Sequence, residues 1–349
     1  MALVGTMLVA APADATGGGQ GLKPVVSGLN GPRGVATHGA KVVYSLGDGS
    51  VYEAWAYGTN KGIKKLGTLP GGFAPAIDTD RWGTTYALTG AGGEPGQPLP
   101  PGGATLFKLR PGKAPVAIAD IGKYQLKDPD PFNLEGPATE SNPFGVAALR
   151  DGTILVADAA GNDLLRVWPN GRIKTVARLK PRVVKAPPEF GGQLAPAEAV
   201  ATSVTVGSDG YYYVGELRGF PGTAGTSQVW RIKPGSVGAV CDPVKPAKGN
   251  CQRYADGYTS IVDLAGGPRG TIAVVEFAKA TWLAAEDPTA PPPIGSLFLQ
   301  YPGKHHKAGV KKELAKGKLV LPSGAAINQY GDVFVSSPLF GPGAVYRIK

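Results

Sequence analysis

Three acidic residues close short apolar runs at matching places in the chain. Asp158 ends ILVAD, Glu216 ends YYVGE and Glu276 ends IAVVE. Amide or charged residues follow each one: Asn162 and Asp163, Arg218, and Lys279. Carboxylate and amide oxygens that converge from several segments suit a hard cation such as Ca²⁺ or another divalent ion. Such a cation could activate water or polarise a carbonyl. The default expectation is plainer: these groups cap loops and pair with Arg218, Lys279 or backbone N–H groups. No EF-hand-like spacing and no RTX-type nonapeptide argues for the metal.

Asp263 stands inside an apolar run, SIVDLA, where a lone buried charge is costly. It could be a ligand or a general base. The default is that it accepts hydrogen bonds from a neighbouring repeat, with Thr259 and Ser260 close by. Asn142 has a similar choice between facing a channel mouth and capping the turn before Pro143. Histidine is confined to His38, His305 and His306, and G-x-S-x-G is absent, which argues against a Ser-His-Asp hydrolase. The segment GAGGEPG (90–96) opens no helix, so a phosphate cradle fails. The acidic stretch DPDPFNLEGPATE (128–140) reads as a flexible surface loop that could also meet a cation.

The elements that must position these residues recur six times. The stanzas begin at Gly31, Gly72, Asn142, Ala201, Thr259 and Pro322. Each continues into a second β run: VVYSL, TTYALTG, ILVADAA, YYYVGEL, IAVVEFA and DVFVSS. Gly or Asp-Gly turns between first and second runs are hairpin signals. A third run follows in every copy, and a fourth is readable in several, such as RIKTVARL. Self-similarity at this period predicts a propeller or solenoid. Four strands in six copies predict an all-β, six-bladed β-propeller with four-stranded antiparallel blades. The last stanza stops at its third strand. LKPVVSGL, ahead of the first stanza, therefore supplies the outer strand that closes the ring and removes free sheet edges.

Blade order assigns the loops to faces. Second-to-third loops and blade connections share one end of the ring. The interruptions 90–103, 122–141, 180–199, 218–227 and 279–295 all fall there. Loops on a rigid scaffold carry binding residues, so this insertion-bearing face, around the channel, is the expected functional face. The cysteine loop (233–251) and the Lys-rich loop (301–316) are expected on the opposite face.

The formal net charge is +10. The basic residues gather around 172–185 and 304–318 without interleaved aromatics, so a nucleic-acid groove is not expected; a solvated face or an anionic cell-surface contact is. Residues 3–15, LVGTMLVAAPADA, look like a signal peptide lacking its basic start. A Gly-rich segment (16–21) and one propeller (22–349) follow. No run reaches the length of a membrane span. Cys241 and Cys251 are the sole cysteines; export would join them as a disulfide.

The strings VADAAGNDLLRV and YYVGELRGFPG, with the stanza YTSIVDLAGGPRGTIAVVEFAKATWLA, resemble the ScyD/ScyE family of exported bacterial NHL-like β-propellers. The resemblance runs from about Leu22 to the end. It implies a fold and a secreted or cell-envelope location, and no reaction. Gly267-Pro268-Arg269-Gly270 departs from the family's usual Gly-Pro-Asp-Gly, a turn difference. The sequence thus points to a binding scaffold, a monomer, that holds a small molecule or protein on the insertion-bearing face. The alternative is a secondary-metabolism enzyme or lactonase-like hydrolase with a metal in the channel.

Overall fold

A computed structural model describes residues 21–71, 74–93, 96–287 and 289–349. The leader expected at 1–15 and most of the 16–21 segment lie outside them. Blade 1 comprises Val35–His38, Lys41–Ser45, Ser50–Trp55 and Lys64–Thr68. Blade 2 comprises Ala76–Thr79, Thr85–Leu88, Thr105–Leu109 and Val116–Asp120. Blade 3 comprises Pro143–Ala148, Ile154–Asp158, Asp163–Val167 and Ile173–Leu179. Blade 4 comprises Ala201–Val206, Tyr212–Glu216, Ser227–Ile232 and Cys251–Tyr258. Blade 5 comprises Ile261–Gly266, Ile272–Glu276, Ser296–Pro302 and Ala308–Leu314. Blade 6 comprises Gly324–Ile327, Val333–Ser337 and Pro342–Ile348, and Leu22–Asn30 completes it.

The chain is thus a six-bladed β-propeller, and its ends meet in one sheet. Leu22 pairs with Ile348 and Asn30 with Pro342, antiparallel. Val25, Val26 and Leu29 of the closing strand are buried with Val345 and Phe334. Each side chain of this kind contributes about 1.5–3 kcal/mol when fully buried. Apolar side chains of adjacent blades merge into shared clusters, such as Leu155, Leu164, Val204 and Trp230 between blades 3 and 4. The inner strands approach closely where they crowd the axis. A Cβ at Gly145 would lie 2.7 Å from the Ser203 Cα, and one at Gly324 would lie 2.0 Å from the Arg33 carbonyl oxygen.

Blades 3, 4 and 5 share a local device. Each inner strand carries a register shift, between Pro143 and Gly145, Ala201 and Ser203, and Ile261 and Asp263. The residue opposite its start is the acid that ends the second strand: Asp158, Glu216 or Glu276.

Two loops differ from expectation. The Lys-rich loop shrinks to residues 303–307, because Ala308–Leu314 is an outer strand that includes Lys311 and Lys312. The cysteine loop does not simply hang on the opposite face. Its residues Ala239–Cys241 add a fifth, parallel strand to blade 3, with Cys241 beside Leu179. Lys180 N–H donates to the Cys241 carbonyl, so the loop runs along the rim toward the insertion-bearing side. Extended backbone with an exposed outer edge available recruits such a strand. Cys241 and Cys251 are joined and fully buried. Among the described residues, no helix is long and apolar enough to cross a membrane.

Candidate functional site

The acids at the second-strand ends are buried and committed to holding loops. Asp158 is fully buried. It accepts hydrogen bonds from the Ser141 hydroxyl (2.6 Å), the Asn142 N–H (2.8 Å) and the Gly161 N–H (3.2 Å). Asp163, its cross-strand partner, is equally buried. Gln125 from the 122–141 insertion donates to both carboxylates, at 3.3 and 3.1 Å. Burial pushes the Asp163 carboxyl well up, and the Asp158 charge adds to that. Burial also raises Asp158, against its four donors. Two carboxylates this close cannot easily both ionise, and the upward shift is the stronger at Asp163.

Asn162 continues the clamp. Its amide donates to Asp130 at 3.0 Å and accepts from the Val200 N–H at 2.7 Å. Asp130 itself is buried. Glu198 accepts from the Leu134 N–H at 2.6 Å. Asp128 pairs with Arg178 and with the Thr175 hydroxyl. The acidic stretch expected to be a flexible loop is therefore tied to blades 3 and 4. The insertion between blades 3 and 4, 180–199, folds into a hairpin of Arg182–Lys185 and Leu194–Ala197.

Glu216 and Arg218 form a fully buried ion pair. The Trp230 indole N–H also donates to Glu216. Arg218 further donates to the carbonyls of Ala197, Glu198 and Thr226 and to Gln228. Its own carbonyl accepts from the Trp282 indole at 3.0 Å. The Arg218 side chain thus joins the 180–199 hairpin to the 218–227 loop, and its backbone carbonyl holds the start of the 279–295 loop. Burial raises Glu216 and lowers Arg218, and each charge opposes the shift of the other.

In blade 5, Glu276 accepts from the Thr259 N–H at 2.8 Å. The Ser260 hydroxyl accepts from the Trp282 N–H at 2.9 Å. Lys279 pairs with Glu313 at 2.6 Å, not with Glu276. Asn142 accepts from the Ala91 N–H at 3.1 Å and so pins the 90–103 loop. Of the ten residues singled out in the sequence, only Asp263 lines the channel cavity. Among the described residues, no group of three or more His, Cys, Asp or Glu side chains is placed to hold a metal.

The channel holds residues that the sequence reading missed. Its cavity of ≈ 250 Å³ is lined by the inner strands, with Thr37, Asp78, Ala148, Val206, Gly266 and Ile327 toward the first-to-second turns. Asp263 Oδ2 accepts from the Ala325 N–H of blade 6 at 2.7 Å. Asp78 Oδ2 accepts from the Ala148 N–H of blade 3 at 2.8 Å. Burial pushes Asp263 up to about 7 and Asp78 up to about 6, and backbone donors oppose both. Arg33 crosses the insertion-bearing end of the channel. It donates to the carbonyls of Ala74 and Phe144, each at 2.8 Å, and stacks 4.0 Å from the Phe144 ring centre. The cavity therefore lies toward the opposite end of the channel. Asp78, the third residue of an inner strand, carried the same signal as Asp263: an acid within a β run. A second concavity, ≈ 550 Å³, lies on the rim between Phe132, Lys180 and the cysteine loop.

No protein-family model matches the chain, and no curated protein matches it in sequence. Solved structures match nearly its whole length. The PQQ-bound aldose sugar dehydrogenase of Streptomyces coelicolor is 12% identical, with TM-score 0.55, over 96% of this chain and 99% of its own. A putative oxidoreductase (glucose dehydrogenase) of Thermus thermophilus is 14% identical, with TM-score 0.56, over 95% and 100%. A further glucose dehydrogenase is 10% identical, with TM-score 0.58, over 94% and 99%. At such identities the likeness shows the β-propeller fold alone.

Proposed function

We propose that this protein is an exported binding propeller that presents its insertion-bearing face to a protein partner. The observation that carries the reading is the clamp beneath that face. Gln125, Asp158, Asn162, Asp163, Glu198, Glu216 and Arg218 are spent inside the molecule on holding three insertions in place. Among the side chains that the insertions leave in solvent are large apolar ones: Leu126 is 66% exposed, Leu194 73% and Phe220 45%. Loops that are ordered before binding lose little entropy on docking. The disulfide and the leader-like start support export, as does the resemblance to the ScyD/ScyE family.

The test is site-specific photo-crosslinking in the native extract. A crosslinker at Leu126, Leu194 or Phe220 should give one discrete adduct. The same crosslinker at Trp82 and Tyr330, on the other face, should not give it. Adducts spread evenly over both faces would defeat the reading.

A second reading, a lactonase-like hydrolase, has one observation in its favour. Asp78 and Asp263 line a channel cavity with carboxyls raised toward neutrality, and general acid–base work needs such groups. Two carboxylates fall short of the six to eight oxygens that Ca²⁺ takes, so waters and carbonyls would have to supply the rest. Lactone turnover abolished by Asp263→Asn would establish this reading. Turnover unchanged by Asp263→Asn would remove it.

A further inference from the structure

The face opposite the insertions combines charge and aromatic surface in a way the ring does not need. Blades 1 to 5 each place exposed basic residues on its turns: Lys61, Arg81, Arg150, Lys233, Arg269 and Lys304. The acids there are already engaged. Asp151 pairs with Arg166 and Asp209 with Arg231. Asp80 accepts from the Trp82 and Thr84 N–H groups, and Asp332 from the Tyr57 hydroxyl. The insertion-bearing side exposes Lys127, Lys185 and Lys316 but also the acids Asp120, Glu135, Glu189 and Glu286, whereas the turn face has few acids to offset its own bases.

Large rings stand at the tips of the same turns. Trp82 is 61% exposed and Tyr330 69%. Tyr301 at the blade 5 loop is 38% exposed. Arginines lie over several rings of this face. Arg81 sits 4.2 Å from the Trp82 ring centre, and Arg172 4.1 Å from that of Trp168. An arginine on an aromatic face keeps its edge N–H groups free for phosphate oxygens. Indole and phenol rings settle where apolar chains meet polar headgroups.

We propose that the turn face docks on a bilayer of anionic phospholipids. Phosphate headgroups would meet the ring of Lys and Arg, and Trp82 and Tyr330 would enter the interface. Turn tips of five blades spread around a ring suit an extended flat surface better than a single polymer strand, which favours lipid over an acidic polysaccharide. Docking this way leaves the insertion-bearing face pointing outward, free for its own partner. The proposal does not depend on that partner's identity.

The probe is sedimentation of the full chain with vesicles of phosphatidylcholine containing phosphatidylglycerol, against pure phosphatidylcholine vesicles. Binding is expected on the anionic vesicles at low ionic strength and should be largely lost in about 0.5 M salt. Each basic residue near the surface is worth about fivefold in partitioning. Arg81→Gln, Arg150→Gln and Lys304→Gln together should therefore weaken binding roughly 100-fold. The same charge removed from the other face, as Lys127→Gln, Lys185→Gln and Lys316→Gln, should change it little. Trp82→Ala should weaken vesicle binding further while leaving the melting temperature within a degree or so of the parent, as for other exposed substitutions. Three results would each overturn the proposal. One is no binding to anionic vesicles. Another is equal loss from both triple variants, which would mark a net-charge effect. The third is tighter binding to an acidic polysaccharide that Trp82→Ala does not disturb.

Discussion

Replacing Arg218 with Ala should be among the most damaging single changes in the molecule, although no strand contains it. Its guanidinium is 1% exposed and faces a fully buried Glu216. Removing it strands that carboxylate and frees the carbonyls of Ala197, Glu198 and Thr226. Breaking a buried pair by deleting one partner costs about 3–5 kcal/mol. For 349 residues the unfolding entropy is roughly 0.7 kcal/mol per degree. The melting temperature should therefore fall by roughly 4–7 °C. Glu216→Gln added to Arg218→Met removes the stranded charge and should recover part of the loss, at least about 1 kcal/mol. Melting followed by tryptophan fluorescence reads the effect, since Trp230 and Trp282 both touch the network. A fall below about 1 °C for Arg218→Ala, or no recovery in the double variant, would refute the claim that this side chain ties the insertions down.

The channel carboxyls give a pH dependence of defined sign. The folded-state values of Asp263 and Asp78 are raised, so the folded protein binds more protons than the unfolded chain between about pH 4 and 7. Their contribution is fully present below the ordinary carboxylate range and is lost as pH rises through about 6 to 7. Asp263→Asn should thus gain on the parent between pH 4 and 8, by at most about 4 kcal/mol and by less where solvent reaches the cavity; parallel stability curves would contradict this. Cys241→Ala with Cys251→Ala reopens a ten-residue separation and should cost about 2–3 kcal/mol in urea unfolding, with an unchanged midpoint as the opposing outcome. Deleting residues 22–30 removes three buried apolar side chains worth about 5–9 kcal/mol together, which rivals typical total stability. The truncated chain should aggregate on expression, and a stable truncated monomer would count against the ring.

The periodic parts of the molecule were legible because strand and turn chemistry is local. Six stanzas, their hairpin turns and the missing last strand sufficed to assign every blade and the closing strand. The cysteine pair was legible because the chain has two cysteines and export would join them. The loop architecture was not. Gln125 reaches Asp158 and Asp163 across 33 and 38 positions, and Glu198 reaches Leu134 across 64. A polar residue in a loop carries no local sign of such a partner, so the stretch 128–140 read as flexible. The fifth strand of blade 3 was hidden for the same reason: AVC is too short to announce a sheet, and a neighbouring edge recruits it. Asp78 is an acid within a β run, as Asp263 is, and only the ring geometry shows that the two share one cavity. Arg33 sits before its strand, and only the ring geometry carries it across the channel.

The central claim is that the interruptions of the propeller form one rigid, pre-organised face. Hydrogen–deuterium exchange of the unliganded protein tests it most directly. The N–H groups of Leu134, Val200, Arg218 and Gly219 are bound to Glu198, Asn162 and the Ala199 and Glu198 carbonyls. They should exchange as slowly as inner-strand amides such as those of Val204 and Leu264. Exchange of these loop amides within seconds, while the strands stay protected, would contradict the account.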